Sequence, residues 1–254
     1  SFPFLAIPFF IFLAEILNSG KSTDRLMRFV KALVGHMYGG LAQANAMISV
    51  IFACVSGTAL ADCSSVGSTL IPAMEKEGYS REFSAAVTAA TSAVGPIIPP
   101  SIAMVIAGVT ASLSISRLFF AGAIPGVMMG GAMMITNYII SRRRKYPRSN
   151  AFVYIELWQS LKGCCLELSL VVIVLVGLLL GFFTPTEAGA AGSVATLIIV
   201  GVIRRELTLE KAFTAFLTAA VSSANVLLII AFAASFGNIM ARLRLPDALT
   251  ATLF

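Results

Sequence analysis

The sequence is poor in charged residues and in the residue types from which most metal sites are built. Asp, Glu, Lys and Arg make up 12% of the 254 residues, about half of their share in soluble domains. There is one histidine, His36, and the four cysteines have the spacing of neither a zinc site nor a disulfide framework. These shortages argue against a soluble domain, a zinc protein and a disulfide-rich secreted module.

Enzyme signatures are missing as well. Gly20, Lys21 and Ser22 resemble the end of a phosphate-binding loop, but Glu15 stands where that loop needs its first glycine. His36 has no nearby nucleophile, and neither a zinc-protease motif nor a nucleophile elbow occurs. The sequence therefore predicts no enzyme and no organic cofactor. The net charge of +6 predicts no nucleic-acid partner, because the basic residues form short clusters between apolar runs.

Long uncharged runs make up most of the sequence. Hydrophobic residues make up 58% of the chain. Most of the runs are near or above the roughly 20 residues that a helix needs to cross a bilayer. They are Phe83–Ser116, Leu118–Ser141, Leu168–Thr186, Ala188–Ile203 and Ala212–Ala241, and a further run, Ala32–Ala61, is interrupted only by His36. The sequence predicts an all-α polytopic membrane protein, embedded in a lipid bilayer.

The basic residues predict how the chain is oriented. If Phe2–Leu17 is a helix that ends in the cytoplasm, all but three of the 18 Lys and Arg residues fall on the cytoplasmic side, as the positive-inside rule expects. The amphipathic residues from Leu26 to Leu33 predict an arm along the membrane interface. The stretch Pro147–Leu161, with Trp158, predicts an interfacial connector.

The first candidate site lies in a predicted re-entrant hairpin from Gly39 to Met74. Its tip, Ser56, Gly57 and Thr58, can present hydroxyl and carbonyl oxygens to an alkali cation. Asp62 follows at a depth where an ionisable side chain usually faces a cavity, an ion or a partner. Two full spans would also place both ends of this segment on one side of the membrane. However, the part that returns after the tip is too short for a full span. Close packing of small residues is the alternative explanation of the pattern.

The second candidate site is the stretch "TSAVGPIIPPSIAMVIAG", in which three prolines interrupt a long apolar run. A proline cannot donate its amide, so several carbonyls lose their helical partners. Irregular backbone at this depth is tolerated where it is buried or lines a wet cavity. A plain proline kink is the alternative. The candidates are Gly95 and Pro96 for a cation, and Pro99, Pro100 and Ser101 for the substrate or its cavity.

Thr184 and Glu187 form a third motif, in "FFTPTEAGAAG". Thr184 is predicted to cap a helix whose first turn carries Pro185 and Glu187. A cavity-facing role for Glu187 is the alternative. Glu15 and His36 fall at predicted span ends, where solvation at the interface explains them.

The residues Ala61 to Gly108 resemble the large membrane subunit of tripartite ATP-independent periplasmic (TRAP) transporters. The similarity extends to "PFFIFLAEILNSG", "LFFAGAIPGVMM" and "GFFTPTEAGAAG", and so covers nearly the whole chain. It implies sodium-coupled, elevator-type import of small organic acid anions, such as C4-dicarboxylates or sialic acid, across the bacterial inner membrane. It also implies two partners, a periplasmic substrate-binding protein and a small membrane subunit.

The resemblance also implies a site and a division of the chain. Ser56–Thr58 match the family's hairpin tip, usually Ser-Gly-Ser, and Gly95–Ser101 match its broken helix, so Na⁺ is the implied coupling ion. The implied divisions are 1–38 as scaffold helix and arm, 39–112 as transport domain, and 113–254 as further helices and the start of a second, inverted repeat. The rest of that repeat is expected beyond this sequence. A stand-alone divalent-anion/sodium symporter is one alternative, and an ion channel or a non-transporting scaffold is another.

Overall fold

The structure is a computed structural model, which describes residues 2–147 and 153–243, and no strand occurs within them. A 3₁₀ turn, Phe2–Leu5, leads into the first helix. The helices are α1 (Ala6–Ser19), α2 (Ser22–Val34), α3 (Gly40–Ser56), α4 (Ala59–Lys76), α5 (Arg81–Ser92), α6 (Ile102–Thr110), α7 (Ile115–Arg143), α8 (Tyr154–Leu179), α9 (Pro185–Leu197) and α10 (Leu209–Arg242). A π-helical turn, Ile198–Ile203, extends α9.

Within the described residues, four helices are long and apolar enough to cross a membrane. They are α7, α8, α9 with its π-helical extension, and α10. The helix α1 with its preceding turn and the helix α2 are bent by 76° at the break between them, so α2 turns away from the direction of α1. The predicted all-α polytopic membrane fold is confirmed.

The interfacial connector predicted for Pro147–Leu161 is wrong from Tyr154 onward. The described part of this stretch is instead the first two turns of α8, which continues without a break to Leu179. The sequence suggested a later start because Lys162 and Glu167 precede the uncharged run. Glu167 does not end the helix, since its charge is compensated by residues from other parts of the chain. Trp158 lies half-exposed on this helix.

Glu167 is the centre of a buried ion-pair network. Its side chain is 1% exposed and accepts from Arg25 Nε at 2.9 Å and from Arg204 Nη2 at 3.2 Å. Arg25 also pairs with Glu206 at 2.7 Å, and this hydrogen bond lowers the pKa of Glu206 to about 2. Glu206 therefore stays charged at physiological pH. The network fastens α2 to α8 and to the loop that precedes α10.

The basic clusters gather at one end of the helix bundle, here called the basic end. Buried residues from α2, α3, α4, α5 and α8 meet there in one apolar cluster, whose members include Leu26, Leu41, Leu70, Tyr79 and Cys164. The start of α3 and the end of α4 therefore lie at the same end, as a re-entrant hairpin requires. The basic end is the predicted cytoplasmic side.

Two side-chain hydrogen bonds hold the hairpin against the spanning helix α7. Gln43 Nε2 donates to the carbonyl of Met134 at 2.9 Å, and Asn137 Nδ2 donates to the carbonyl of Ala42 at 3.1 Å. Polar side chains that bond across helices are a common means of helix association in membranes. The first arm of the hairpin is thus bonded to α7, which helps to position the tip.

We expect Glu167→Ala to destabilise the protein strongly. The change leaves the charges of Arg25 and Arg204 without their shared buried partner, and breaking a buried pair in this way typically costs about 3–5 kcal/mol. Thermal unfolding of the full-length protein in detergent would show a loss of several degrees. Glu156→Ala, an exposed position on the same helix, is the matched control. Equal Tm values for the two variants would contradict a stabilising role of the network.

Candidate functional site

The hairpin tip reverses the chain between two helices in only two residues. Gly57 ends α3 with a φ of 59°, in the left-handed region that favours glycine, and its amide donates to the carbonyl of Ala53 at 3.2 Å. Thr58 is extended, and its Oγ1 accepts from the amide of Ala61 at 3.3 Å, which caps α4. Ser56 Oγ donates to the carbonyl of Thr58 at 3.4 Å. The tip therefore satisfies much of its own backbone.

The broken helix is interrupted between Ser92, where α5 ends, and Ile102, where α6 begins. Ser101 caps α6 by accepting from the amide of Met104 at 3.2 Å, and its hydroxyl donates to the carbonyl of Pro96 at 2.6 Å. The carbonyl of Pro96 loses its helical amide partner because position 100 is proline, and the hydroxyl of Ser101 takes the place of that amide. The unwound stretch is a whole interruption with its own cap, so a plain proline kink does not describe it.

The tip and the broken helix touch through their backbones. A Cβ placed on Gly57 would overlap the carbonyl oxygen of Pro100, and one placed on Gly95 would lie 3.0 Å from the carbonyl carbon and oxygen of Thr58. Position 57 requires glycine for this approach, and at position 95 a side chain would force the backbone of Thr58 to shift. The structure thus brings together the predicted hairpin residues and the predicted broken-helix residues, which lie some forty positions apart in the sequence.

Asp62 lies in the first turns of α4 and is fully buried, with 0% exposure. Neither of its carboxylate oxygens has a hydrogen-bond partner among the described residues. The hydroxyls of Ser49 and Ser92 lie next to the carboxylate without hydrogen-bonding geometry, and both donate elsewhere, to Thr91 Oγ1 and to the carbonyl of Thr88. Asp62 was predicted to face the substrate or its cavity, and in the structure it faces this polar protein interior.

The interior around Asp62 is a layer of buried polar side chains between α3 and α5. Asn45 Nδ2 donates to Thr88 Oγ1 at 2.7 Å, and Thr91 Oγ1 donates to Asn45 Oδ1 at 3.0 Å. The sequence analysis did not single out these residues. Their signal was present, since polar residues recur every three or four positions on both helices, the spacing that lines one helix face.

A crevice of about 310 Å³ opens beside the hairpin tip. Ser56 and Thr58 line it from the hairpin, Ser222 lines it from α10, and Glu15 lines it from α1. Solvation at a span end was the sequence-based explanation of Glu15. The structure places this half-buried carboxylate beside the candidate site instead.

Thr184 and Glu187 form a capping box at the start of α9. The amide of Thr184 donates to Glu187 Oε2 at 2.8 Å, and the amide of Glu187 donates to Thr184 Oγ1 at 3.3 Å. The predicted helix cap is therefore confirmed. Neither residue lines the crevice at the hairpin tip.

We expect Gly57→Ala to lower the Tm of the full-length protein in detergent by several degrees. The added Cβ meets the Pro100 carbonyl and also strains a left-handed backbone. Gly131→Ala is the control, because it adds a methyl group to an open position on α7, where alanine is worth up to about 1 kcal/mol more than glycine. A Gly57→Ala protein as stable as the wild type would show that the close backbone contact is absent.

Comparison with known proteins identifies the family. The family described as "Tripartite ATP-independent periplasmic transporter, DctM component" matches residues 1–254. The chain is 39% identical over 233 residues to the 2,3-diketo-L-gulonate TRAP transporter large permease protein YiaN of Escherichia coli, covering 92% of this chain and 55% of that protein.

Two further relatives show the same pattern. The sialic acid TRAP transporter large permease protein SiaM of Vibrio cholerae is 38% identical, with 98% of this chain and 58% of the relative covered. The C4-dicarboxylate TRAP transporter large permease protein DctM of Rhodobacter capsulatus is 35% identical, with 98% and 60% covered. The chain thus spans a little over half the length of these relatives. These relatives are permeases, so the prediction of a non-enzymatic, multi-pass inner-membrane protein is confirmed. The chain belongs to the DctM component family of the tripartite ATP-independent periplasmic transporters.

Proposed function

We propose that this chain forms part of the permease of a sodium-coupled importer of small organic acid anions, and that Na⁺ binds where the hairpin tip meets the broken helix. The observation that carries the proposal is the backbone contact of Gly57 with Pro100 and of Gly95 with Thr58. Discontinuous helices that meet at membrane depth are how many secondary transporters build their ion and substrate sites.

The chemistry of this junction fits a cation next to an anion. The helices α3 and α5 end there, at Ser56 and Ser92, and the helices α4 and α6 begin there, at Ala59 and Ile102. Helix C-termini carry partial negative charge and carbonyl oxygens, whereas N-termini carry partial positive charge and amides. Ser56, Gly57, Thr58, Gly95 and Pro96 would hold Na⁺ with hydroxyl and carbonyl oxygens, and the starts of α4 and α6 would favour a carboxylate of the substrate.

Asp62 supports a positive charge in the same region. An ionised carboxylate without a donor is very unfavourable in a dry interior, so this buried group requires a proton or a cation. Its immediate neighbours are hydroxyl oxygens, which suit Na⁺. Asp62 would therefore contribute the one full negative charge to cation binding, one helical turn from the tip.

The substrate class follows from what the relatives share. Those compared above are permeases for 2,3-diketo-L-gulonate, sialic acid and C4-dicarboxylates, all of which carry a carboxylate at neutral pH. On this proposal the substrate is delivered by a periplasmic binding protein, and a small membrane subunit completes the transporter. The chain would move its hairpin and broken helix, residues 39–112, as a transport domain, together with α7 to which the hairpin is bonded, against the other helices.

The double change Ser56→Ala with Thr58→Ala tests the sodium site. Loss of two hydroxyl oxygens should raise the Na⁺ concentration for half-maximal uptake by about tenfold or more, because a hydroxyl ligand to a cation is worth ~1–2 kcal/mol. The measurement is uptake of labelled sialic acid, succinate and 2,3-diketogulonate into proteoliposomes that contain the full-length permease, its small subunit and its binding protein.

The matched control is Ser68→Ala with Thr69→Ala, two exposed hydroxyls of α4 that donate only to the carbonyl of Ser65. An unchanged sodium requirement in the tip variant would reject these ligands. Uptake that needs sodium but no binding protein would favour a stand-alone symporter. Downhill flux of ions without substrate coupling would favour a channel.

The change Asp62→Asn tests the buried carboxylate. We expect the variant to lose most of the thermal stabilisation that NaCl gives relative to choline chloride, because ligand binding stabilises only a state that can bind it. Its Tm without sodium should not fall, since the amide avoids the cost of burying this carboxylate or of keeping it protonated. Asp24→Asn, an exposed position in the first turn of α2, is the control. A variant that keeps the full sodium-dependent shift would exclude Asp62 as a ligand.

A further inference from the structure

Two crevices run from the basic end toward the hairpin tip and share one residue. The lower crevice, of about 620 Å³, lies between the end of α1 and the start of α10. The upper crevice, of about 310 Å³, reaches Ser56 and Thr58. Glu15 lines both of them. Glu15 is therefore the residue at which the two crevices adjoin.

The helix α10 contributes a polar stripe to this path. The lining residues recur every three or four positions, so they share one helix face in an otherwise apolar span. Lys211, Thr214 and Thr218 line the lower crevice, and Ser222 continues the stripe into the upper one. A helix face that packed only against lipid or apolar side chains would not need this row of hydroxyl groups.

Of the residues that the structure describes, Glu15 is the only charged one that lines both crevices. Lys211 and Glu210 lie at the wide mouth and offset each other in charge. Among the described residues, none donates a hydrogen bond to the Glu15 carboxylate and no charged group is paired with it. A half-buried carboxylate that no side chain neutralises gives this narrow part of the path a negative potential.

We propose that this crevice is the path of the coupling cation between the hairpin tip and the cytoplasm, and that Glu15 concentrates cations at its neck. The inference rests on the proposed function, since it gives the path of the ion whose site lies at the tip. Clefts lined by one sign of charge raise the local concentration of counter-ions by tenfold or more. The hydroxyls above and below Glu15 would replace part of the ion's water along the way.

The test measures the charge preference of the crevice directly. Ser222→Cys is introduced into the full-length permease in which the other cysteines are replaced, and uptake confirms that the protein is folded. Inside-out vesicles then expose the basic end to a cationic or an anionic methanethiosulfonate reagent. We expect the cationic reagent to modify Cys at this position about tenfold faster than the anionic one, after correction for their reactivity with a free thiol, and Na⁺ to slow the cationic reagent.

The deciding variant is Glu15→Gln in the same background. It should bring the two modification rates to within about threefold of each other, whereas Glu82→Gln, which removes an exposed carboxylate of α5, should leave the preference unchanged. Equal preference with and without Glu15→Gln would overturn the role of Glu15. Failure of both reagents to modify position 222 from the basic end would overturn the path itself.

These outcomes are separate from failure of the proposed function. Sodium-independent uptake, with an intact preference for the cationic reagent, would reject Na⁺ as the coupling ion and would support the crevice as a cation path. Sodium-dependent uptake without any such preference would support the hairpin site and overturn the crevice.

Discussion

The rest of this structure depends on one constraint, that backbone polar groups away from water must find partners within the protein. A chain that interrupts two helices at the same depth leaves amides and carbonyls without their usual bonds. Thr58 and Ser101 supply caps to the helices that restart, and Ser101 also satisfies the carbonyl of Pro96. The remaining unpaired groups lie at a junction of helix ends. This junction forms because Gly57 and Gly95 allow the two backbones to approach each other closely. Any bound ion completes a set of partners that the fold has partly supplied.

Two buried carboxylates show how differently the protein treats charge. Glu167 has the guanidinium groups of Arg25 and Arg204 as partners and fastens α2 to α8. Asp62 is equally buried, but among the described residues it has no charged partner and only the hydroxyls of Ser49 and Ser92 beside it. A charge that is paired within the fold stabilises the protein, whereas an unpaired charge at membrane depth requires a proton or a cation from outside the chain. This difference in partners, more than depth or burial, separates a structural carboxylate from a candidate ligand.

The local signals in the sequence predicted the local structure well. Gly57 and the three prolines mark backbone that cannot continue a helix, so the hairpin and the broken helix could be placed, and Thr184 with Glu187 predicted a capping box that the structure confirms. Contacts between distant residues gave no such signal. The partners of Glu167 come from two other segments, so the start of α8 was placed too late. Glu15 resembled a solvated span end, because only the packing of α1 against α10 creates the crevice that it lines. The end of the segment predicted to start the second repeat, beyond Leu243, lies outside the described residues.

The arrangement of helix ends offers a physical reason why a cation and an anion would be transported together. The ends of α3 and α5 and the starts of α4 and α6 lie within the same junction, so a cation held by carbonyl oxygens is close to where a carboxylate would bind. In a site of low dielectric constant, a single charge is costly to bury, while a neighbouring pair of opposite charges is much less so. Each ligand would therefore increase the affinity for the other, by an equal factor as linkage requires. On the proposed function, coupling needs no separate device: it follows from placing both ligands at one set of opposed helix ends.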